Sequence, residues 1–235
     1  ISSISGDQVH VNTQVDYFSS GEEWFEDVIK ELKKAKSFIF LEFFIVAEGE
    51  MWDTLLAVLL ERKMRGVRIC LMYDDVGSIF KVIVIDGNIG YTGGMNIADE
   101  YINRTIKYGH WKDTAVKIKG AAVWSLTQMF LQLWSFSTGV TEQFAHYRPT
   151  INAKTDGFVQ PFGDIPLDNE NVAENAYIQV INMAKRYVYI TTPYLVLDNE
   201  MLTALRIAAQ SGVDVRIVTP HKADKWYVFA VTRSN

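Results

Sequence analysis

Cysteine is almost missing from this 235-residue sequence, and the single Cys70 excludes an internal disulfide framework. It sits in the apolar run from Val67 to Met72, where a small buried thiol is expected rather than a nucleophile. Long hydrophobic runs are missing too: none approaches the roughly 20 residues that cross a bilayer. An initiator methionine, a basic n-region and a signal-peptide core are likewise lacking, so the sequence reads as an excised soluble piece, with an upstream anchor left open. Positive charge is not in excess. Lys and Arg number 23 against 28 Asp and Glu, a net charge of -5. A long-range field that gathers nucleic acid is therefore not expected, although a local basic cleft is compatible with that balance. No histidine, cysteine and carboxylate cluster has metal-site spacing, so neither metal nor cofactor is expected. What is present is 49% hydrophobic and 22% charged, an ordinary globular composition able to build one large core or two medium ones.

The first pattern along the chain is a repeat. Ala35-Lys36-Ser37-Phe38-Ile39-Phe40-Leu41 matches Ala184-Lys185-Arg186-Tyr187-Val188-Tyr189-Ile190 in kind. Each run follows a helical pattern, Glu22 to Leu32 and Glu170 to Met183, and precedes another, Met51 to Met64 and Asn199 to Ala209. Each second helix stops at a glycine and enters a new strand, at Gly66-Val67-Arg68 and Gly212-Val213-Asp214. Helix, strand, helix, strand in both halves predicts an α/β fold of two similar lobes, each with a mixed, largely parallel sheet flanked by helices. Pro149, Asn152, Asp156 and Gly157 break the pattern, which divides the chain into residues 1–150 and 151–235, the second lobe incomplete. The rest of the first half predicts a strand-turn-strand from Val82 to Tyr91, a short strand at Ala115 to Ile118 and a helix from Ala121 to Phe136. One junction is awkward. About eight residues separate the apolar run ending near Tyr73 from the strand at Val82, too few for a parallel crossover. Either these strands form a hairpin, or residues are missing between Phe80 and Lys81.

The chemistry concentrates in Lys81-Val82-Ile83-Val84-Ile85-Asp86-Gly87-Asn88 and the following Tyr91-Thr92-Gly93-Gly94-Met95-Asn96. A lysine at a strand mouth and an asparagine amide can hold the non-bridging oxygens of a phosphoryl group. A plain hairpin turning at Asp-Gly gives the same local pattern, and spacing alone leaves both readings open.

The run resembles the phospholipase D signature: histidine-x-lysine, four residues, aspartate, six residues, then glycine, glycine or serine, any residue, asparagine. Lys81, Asp86, Gly93, Gly94 and Asn96 stand at motif positions. The wording around it is similar to the bacterial cardiolipin synthases of that superfamily, as are Tyr73 to Ser78, His110-Trp111-Lys112-Asp113-Thr114, Gln160 to Asp164, Pro166 to Asn171 and Thr192-Pro193-Tyr194-Leu195. The resemblance implies a phosphatidyltransferase that makes cardiolipin from two phosphatidylglycerols through a phosphohistidine, needing no metal. Lys81 and Asn96 would neutralise the phosphoryl oxygens, Asp113 would orient the imidazole, and Asp86 would brace the motif rather than touch substrate. Gly93 and Gly94 would let substrate approach the backbone. The alternatives are another phospholipase D or phosphatidylserine synthase activity, or a catalytically silent lipid-binding protein. Implied partners are phosphatidylglycerol or another anionic phospholipid and the membrane surface, with no nucleic acid, a homo-oligomer remaining open. The implied location is the cytoplasmic face of a bacterial membrane.

The departure matters as much: Ile79 stands where the motif histidine belongs. A loop bearing that histidine is expected to be missing before Lys81, and a second copy of the motif to lie beyond Asn235. Among the other candidates, Glu42 in an apolar strand faces either the site mouth or a basic partner, because a buried acid must be paired. His110 is a candidate for the cleft, and Thr192 and Tyr194 are either site residues or plain strand ends. His10 and His146 are expected at the surface, and His221 lacks the motif context. The apolar helix around Trp124 to Trp134 packs a core or inserts at a lipid interface, and Lys30, Lys33, Lys34 and Lys36 form either a solvated face or a headgroup contact.

Overall fold

A computed structural model describes residues 7–73, 81–163 and 171–221. Three sequence expectations lie outside the described residues: Ile79 with the Phe80–Lys81 junction, most of the Tyr73 to Ser78 run and most of the Pro166 to Asn171 run. The described chain forms two compact units, residues 7–163 and residues 171–221.

The first unit is built on strands β1 (Thr13–Phe18), β2 (Phe38–Phe43), β3 (Arg68–Tyr73), β4 (Val82–Ile85), β5 (Ile89–Gly93) and β6 (Ala115–Gly120). They lie in the order β1-β6-β5-β4-β2-β3. Only β2 and β3 run parallel; the other four pairings are antiparallel. The expectation of a largely parallel sheet is thus corrected to a mixed sheet that is mostly antiparallel. For one of the four the physical reason is connection length: β4 and β5 are joined by a tight turn at Asp86 and Gly87, both with positive φ (52° and 67°), and such a turn permits only antiparallel neighbours. The hairpin reading of the awkward junction also fails, because β2 lies between β3 and β4.

Helices cover both faces. Helix α1 (Gly21–Leu32) starts at Ser20, whose hydroxyl accepts from the Glu23 amide, and carries Glu22 and Glu23 in its first turn. Its Trp24, Val28 and Leu32 share one side and join Leu55 and Leu59 of α2 (Glu50–Met64) over Leu41, Phe43, Ile83 and Tyr91. Each such side chain, fully buried, contributes about 1.5–3 kcal/mol. Helix α3 (Val123–Thr138) covers the opposite face, where the Phe130 ring stacks on Phe40 at 4.6 Å. That buried packing answers the lipid question for this helix in favour of the core. Residues 153–159 return to the same unit, where Val159 bridges His10 and the Thr155 hydroxyl donates to the Thr13 carbonyl.

The second unit has α4 (Val172–Met183), β7 (Tyr187–Thr191), α5 (Asn199–Gln210) and β8 (Asp214–Val218), with β7 and β8 parallel. The repeat extends to single hydrogen bonds. The Arg68 amide donates to the Ser37 carbonyl at 2.9 Å, and the corresponding Asp214 amide donates to Arg186 at 3.0 Å. Gly66 and Gly212 end their helices with φ of 86° and 90°, a left-handed conformation that favours glycine. Among the described residues, no helix is long and apolar enough to cross a membrane.

Candidate active site

Lys81 enters β4 at the end of the sheet where β5 stops and β6 begins. It lines a small pocket with Trp24, Phe43, Ile83, Tyr91 and Met95, of about 10 Å³, room for roughly one water. Burial lowers the Lys81 pKa, and the nearby Asp113 carboxylate partly offsets that effect. The ammonium is therefore held in apolar surroundings with one acid close enough to act on it, which leaves it a strong attractor for a further anion.

The glycine pair explains how Asp113 comes so near. A side chain on Gly94 would stand 2.0 Å from Asp113 Oδ1, and one on Gly93 would stand 2.5 Å from the Thr114 carbonyl. Both glycines thus serve close packing of β5's exit against β6's entry. Asp113 Oδ1 also accepts from the Thr114 amide at 2.8 Å, while the Gly94 amide donates to the Thr114 carbonyl at 3.1 Å. Gly93 and Gly94 themselves are exposed, so backbone lies open at the mouth.

Asn96 is 3% exposed. Its Oδ1 accepts from the amides of Phe44 and Ile45, at 3.2 and 3.0 Å, and its Nδ2 donates to Tyr101 Oη at 2.8 Å. The side chain ties the exit of β2 to the end of β5, a bracing task in addition to any contact with substrate. Asp86 stands at the other end of β4. Its carboxylate accepts from the amides of Lys36, Ser37 and Phe38 at 2.7–2.9 Å and so pins the start of β2 to the hairpin. Lys30, Lys33, Lys34 and Lys36 cluster near that far end, exposed, with Lys34 paired to Glu31.

Glu42 is fully buried and sits opposite Val82. By strand alternation it shares the face of Phe40 and Val84, the side of the sheet away from the Lys81 pocket. His110 is exposed on the loop before Asp113 and acts at a distance on Glu22. His10, expected at the surface, is half-buried instead: its Nε2 bonds the buried Ser125 hydroxyl at 2.9 Å, and burial lowers its pKa. Its strand-like surroundings gave no sign that α3 would pass over it. Cys70 is buried and burial raises its pKa, as expected of an inert thiol. In the second unit Thr192 Oγ1 accepts from the Tyr194 amide, an ordinary turn at a strand end.

One group of functional weight escaped sequence reading. Lys117, buried on β6, reaches Asp27 Oδ2 at 2.7 Å and Glu31 Oε1 at 3.2 Å, and Tyr91 Oη donates to the same Asp27 oxygen at 2.6 Å. This network locks α1 onto the sheet beneath the Lys81 pocket. The partners lie up to 90 residues apart, so no local spacing reveals them. As for metals, Glu174, Asp198 and Glu200 of the second unit bring carboxylate oxygens within 4.8 Å of one another. Asp198 already caps α5, however, and Glu174 bonds Asn171.

A lysine, a carboxylate and open glycine backbone meet at one end of this mixed sheet, and the fold around them is that of the phospholipase-D-like proteins. The fold agrees: the crystal structure of phosphatidylserine synthase from Haemophilus influenzae superposes with a TM-score of 0.64 at 15% identity, over 88% of this chain and 61% of that one. Within that class, the chain is similar over nearly all its length to bacterial cardiolipin synthases. Residues 177–235 match the family described as cardiolipin synthase, PLD-like domain. A cardiolipin synthase of Geobacillus kaustophilus is 35% identical over 265 residues, covering 96% of this chain and 53% of that protein. A protein of Streptococcus mutans is 41% identical over 267 residues, covering 97% and 58%. The chain therefore spans little more than half the length of these relatives. Both alignments are also longer than the 235-residue chain, so the relatives carry internal residues that have no counterpart here.

Proposed function

We propose that this chain is the phosphoryl-binding part of a phosphatidyltransferase that condenses two phosphatidylglycerols into cardiolipin and releases glycerol. The observation that carries the reading is Lys81, held half-buried beside Asp113 and the open Gly93–Gly94 backbone. In this mechanism a histidine attacks phosphorus, and the phosphorus–oxygen bond to glycerol breaks as a partner histidine protonates the leaving oxygen. The partner then takes the proton from the hydroxyl of a second phosphatidylglycerol, whose oxygen displaces the first histidine and closes the phosphodiester. Lys81 neutralises the non-bridging oxygens, joined by an amide proton of Asn96, and Asp113 orients the nucleophilic imidazole. Asp86 and Glu42 act through the frame. Neither motif histidine is among His10, His110, His146 and His221. The internal residues that the relatives have and this chain lacks support a histidine-bearing segment next to Lys81.

The two similar lobes would each supply one motif, as the duplicated hydrogen bonds support. A phospholipid substrate supports work at a bacterial membrane, here proposed at its cytoplasmic face and with no nucleic acid as partner. The test is the complete protein supplied with labelled phosphatidylglycerol. Formation of labelled cardiolipin and glycerol is expected; phosphatidic acid or phosphatidylserine as the product instead would replace the assignment with a hydrolase or a serine-accepting enzyme. Ile79 favours one further reading, a silent lipid-binding protein. A source gene with isoleucine at the motif position and no histidine-x-lysine elsewhere would establish it.

A further inference from the structure

We infer that the loop between Asn103 and Trp111 is a preformed anchor that seats the site on an anionic phospholipid bilayer. The inference rests on the lipid-substrate reading above and adds the surface by which that lipid is reached. The loop leaves the end of β5 through Asn96 and returns at Asp113, so it rises from the same end of the sheet as Lys81. Its neck is closed by a reciprocal pair of hydrogen bonds. The Trp111 amide donates to Asn103 Oδ1 at 2.6 Å, and Asn103 Nδ2 donates to the Trp111 carbonyl at 3.1 Å. Asn103 has a positive φ of 55°, and its Nδ2 also reaches Glu22 on α1. The Trp111 ring packs on Tyr101 at 4.7 Å and on Tyr108 at 6.1 Å.

On this fixed neck the loop displays Ile106 at 84% exposure. Nothing about the fold asks for an isoleucine there, and leaving it in water forgoes the burial a core position would give. Its neighbours suit an interface. From Arg104 to Lys112 the sequence has Arg104, Lys107 and Lys112 and not one acid, within a chain of net charge -5. Arg104 pairs with Glu50 and Lys107 with Glu100, both basic side chains staying more than half exposed. Exposed pairs of this kind are weak and can be exchanged for lipid phosphates. Tyr108 and Trp111 flank the apex, aromatic groups with an apolar body and a polar tip. The Lys30 to Lys36 cluster is also basic, but it stands near the far end of the sheet from Lys81.

The experiment is sedimentation of the complete protein with vesicles of equimolar phosphatidylcholine and phosphatidylglycerol. It is paired with transfer assays on those vesicles and on short-chain phosphatidylglycerol dispersed as monomers. Ile106→Asp and Ile106→Ser are expected to lower vesicle partitioning roughly tenfold or more, the scale of one apolar side chain's burial. Turnover on vesicles falls in step, while turnover of the monomeric lipid is unchanged. Phe136→Asp, altering a side chain 83% exposed at the end of α3, is the control and keeps full partitioning. Unchanged partitioning of the Ile106 variants overturns the anchor, as does an equal loss in the Phe136 variant, or loop-dependent binding to duplex DNA but not to vesicles. A protein that binds vesicles through the loop yet transfers no phosphatidyl group upholds the anchor and removes the transferase reading.

Discussion

At the scale of single residues, Lys81 is the most informative side chain because its burial sets two opposite pH dependences. Burial lowers its pKa below the ordinary 10.5. Between the lowered value and 10.5 the unfolded chain still holds a proton that the folded chain has released, so stability rises with pH through that window. Below it the charged lysine costs the fold stability. Anion binding runs the other way, fading as pH climbs through the lowered value. Phosphate affinity followed by titration should lose its lysine-dependent part with a midpoint below 10.5; a midpoint at or above it contradicts the buried placement. Lys81→Met should leave the melting temperature unchanged or higher while lowering turnover of the complete protein roughly 10²–10³-fold, the cost of one charge-stabilising donor. Gly94→Ala tests the second contact. Its new methyl would stand 2.0 Å from Asp113 Oδ1, so the carboxylate must move, and the activity lost should approach that of Asp113→Asn while the fold persists. The spacing of Lys81, Gly93, Gly94 and Asn96 was legible in the sequence because it follows strand order. The task of Gly94 was not, since its partner arrives on a different strand.

At the scale of elements, the strands and helices announced themselves through periodicity and punctuation, and the bounds moved by a residue or two. The direction of pairing did not announce itself. Strand–helix–strand units suggested parallel neighbours, and that holds for β2 with β3 and for β7 with β8. Of the antiparallel pairings in the larger sheet, only β4 with β5 follows from a short connection; β1 with β6, β5 with β6 and β2 with β4 join strands separated by long stretches of chain. Asp86 is the element-level device that holds this arrangement, through three amides at the start of β2. Asp86→Ala should cost about 2–3 kcal/mol of unfolding free energy, the range for hydrogen bonds to a charged group. Chemical denaturation measures it, and Asp86→Asn should recover part of the loss. If Asp86 touched substrate instead, both variants would lose turnover without losing stability.

At the scale of the molecule, the larger unit depends on a buried charge network that sequence could not reveal. The Asp27 and Glu31 carboxyls are desolvated, which alone would raise their pKa values, yet bonds from Lys117, Tyr91 and Lys34 bring both below the ordinary 3.8 and 4.5. Their contribution is present above those values and lost as pH falls through the lowered ones. Lys117→Met should therefore destabilise the chain by about 3 kcal/mol at neutral pH and move acid unfolding to higher pH, both read by circular dichroism. The same molecule carries another constraint, set by β4. That strand is four residues long, roughly 13 Å of extended chain, with Lys81 at one lip of the sheet and the anchored Asp86 at the other. A spacing in a sequence signature is here a physical ruler. One residue inserted between those two positions, with Asp86 still fastened, would turn Lys81 through half a pleat toward Phe40 and Phe130. The result would be a folded protein blind to phosphate.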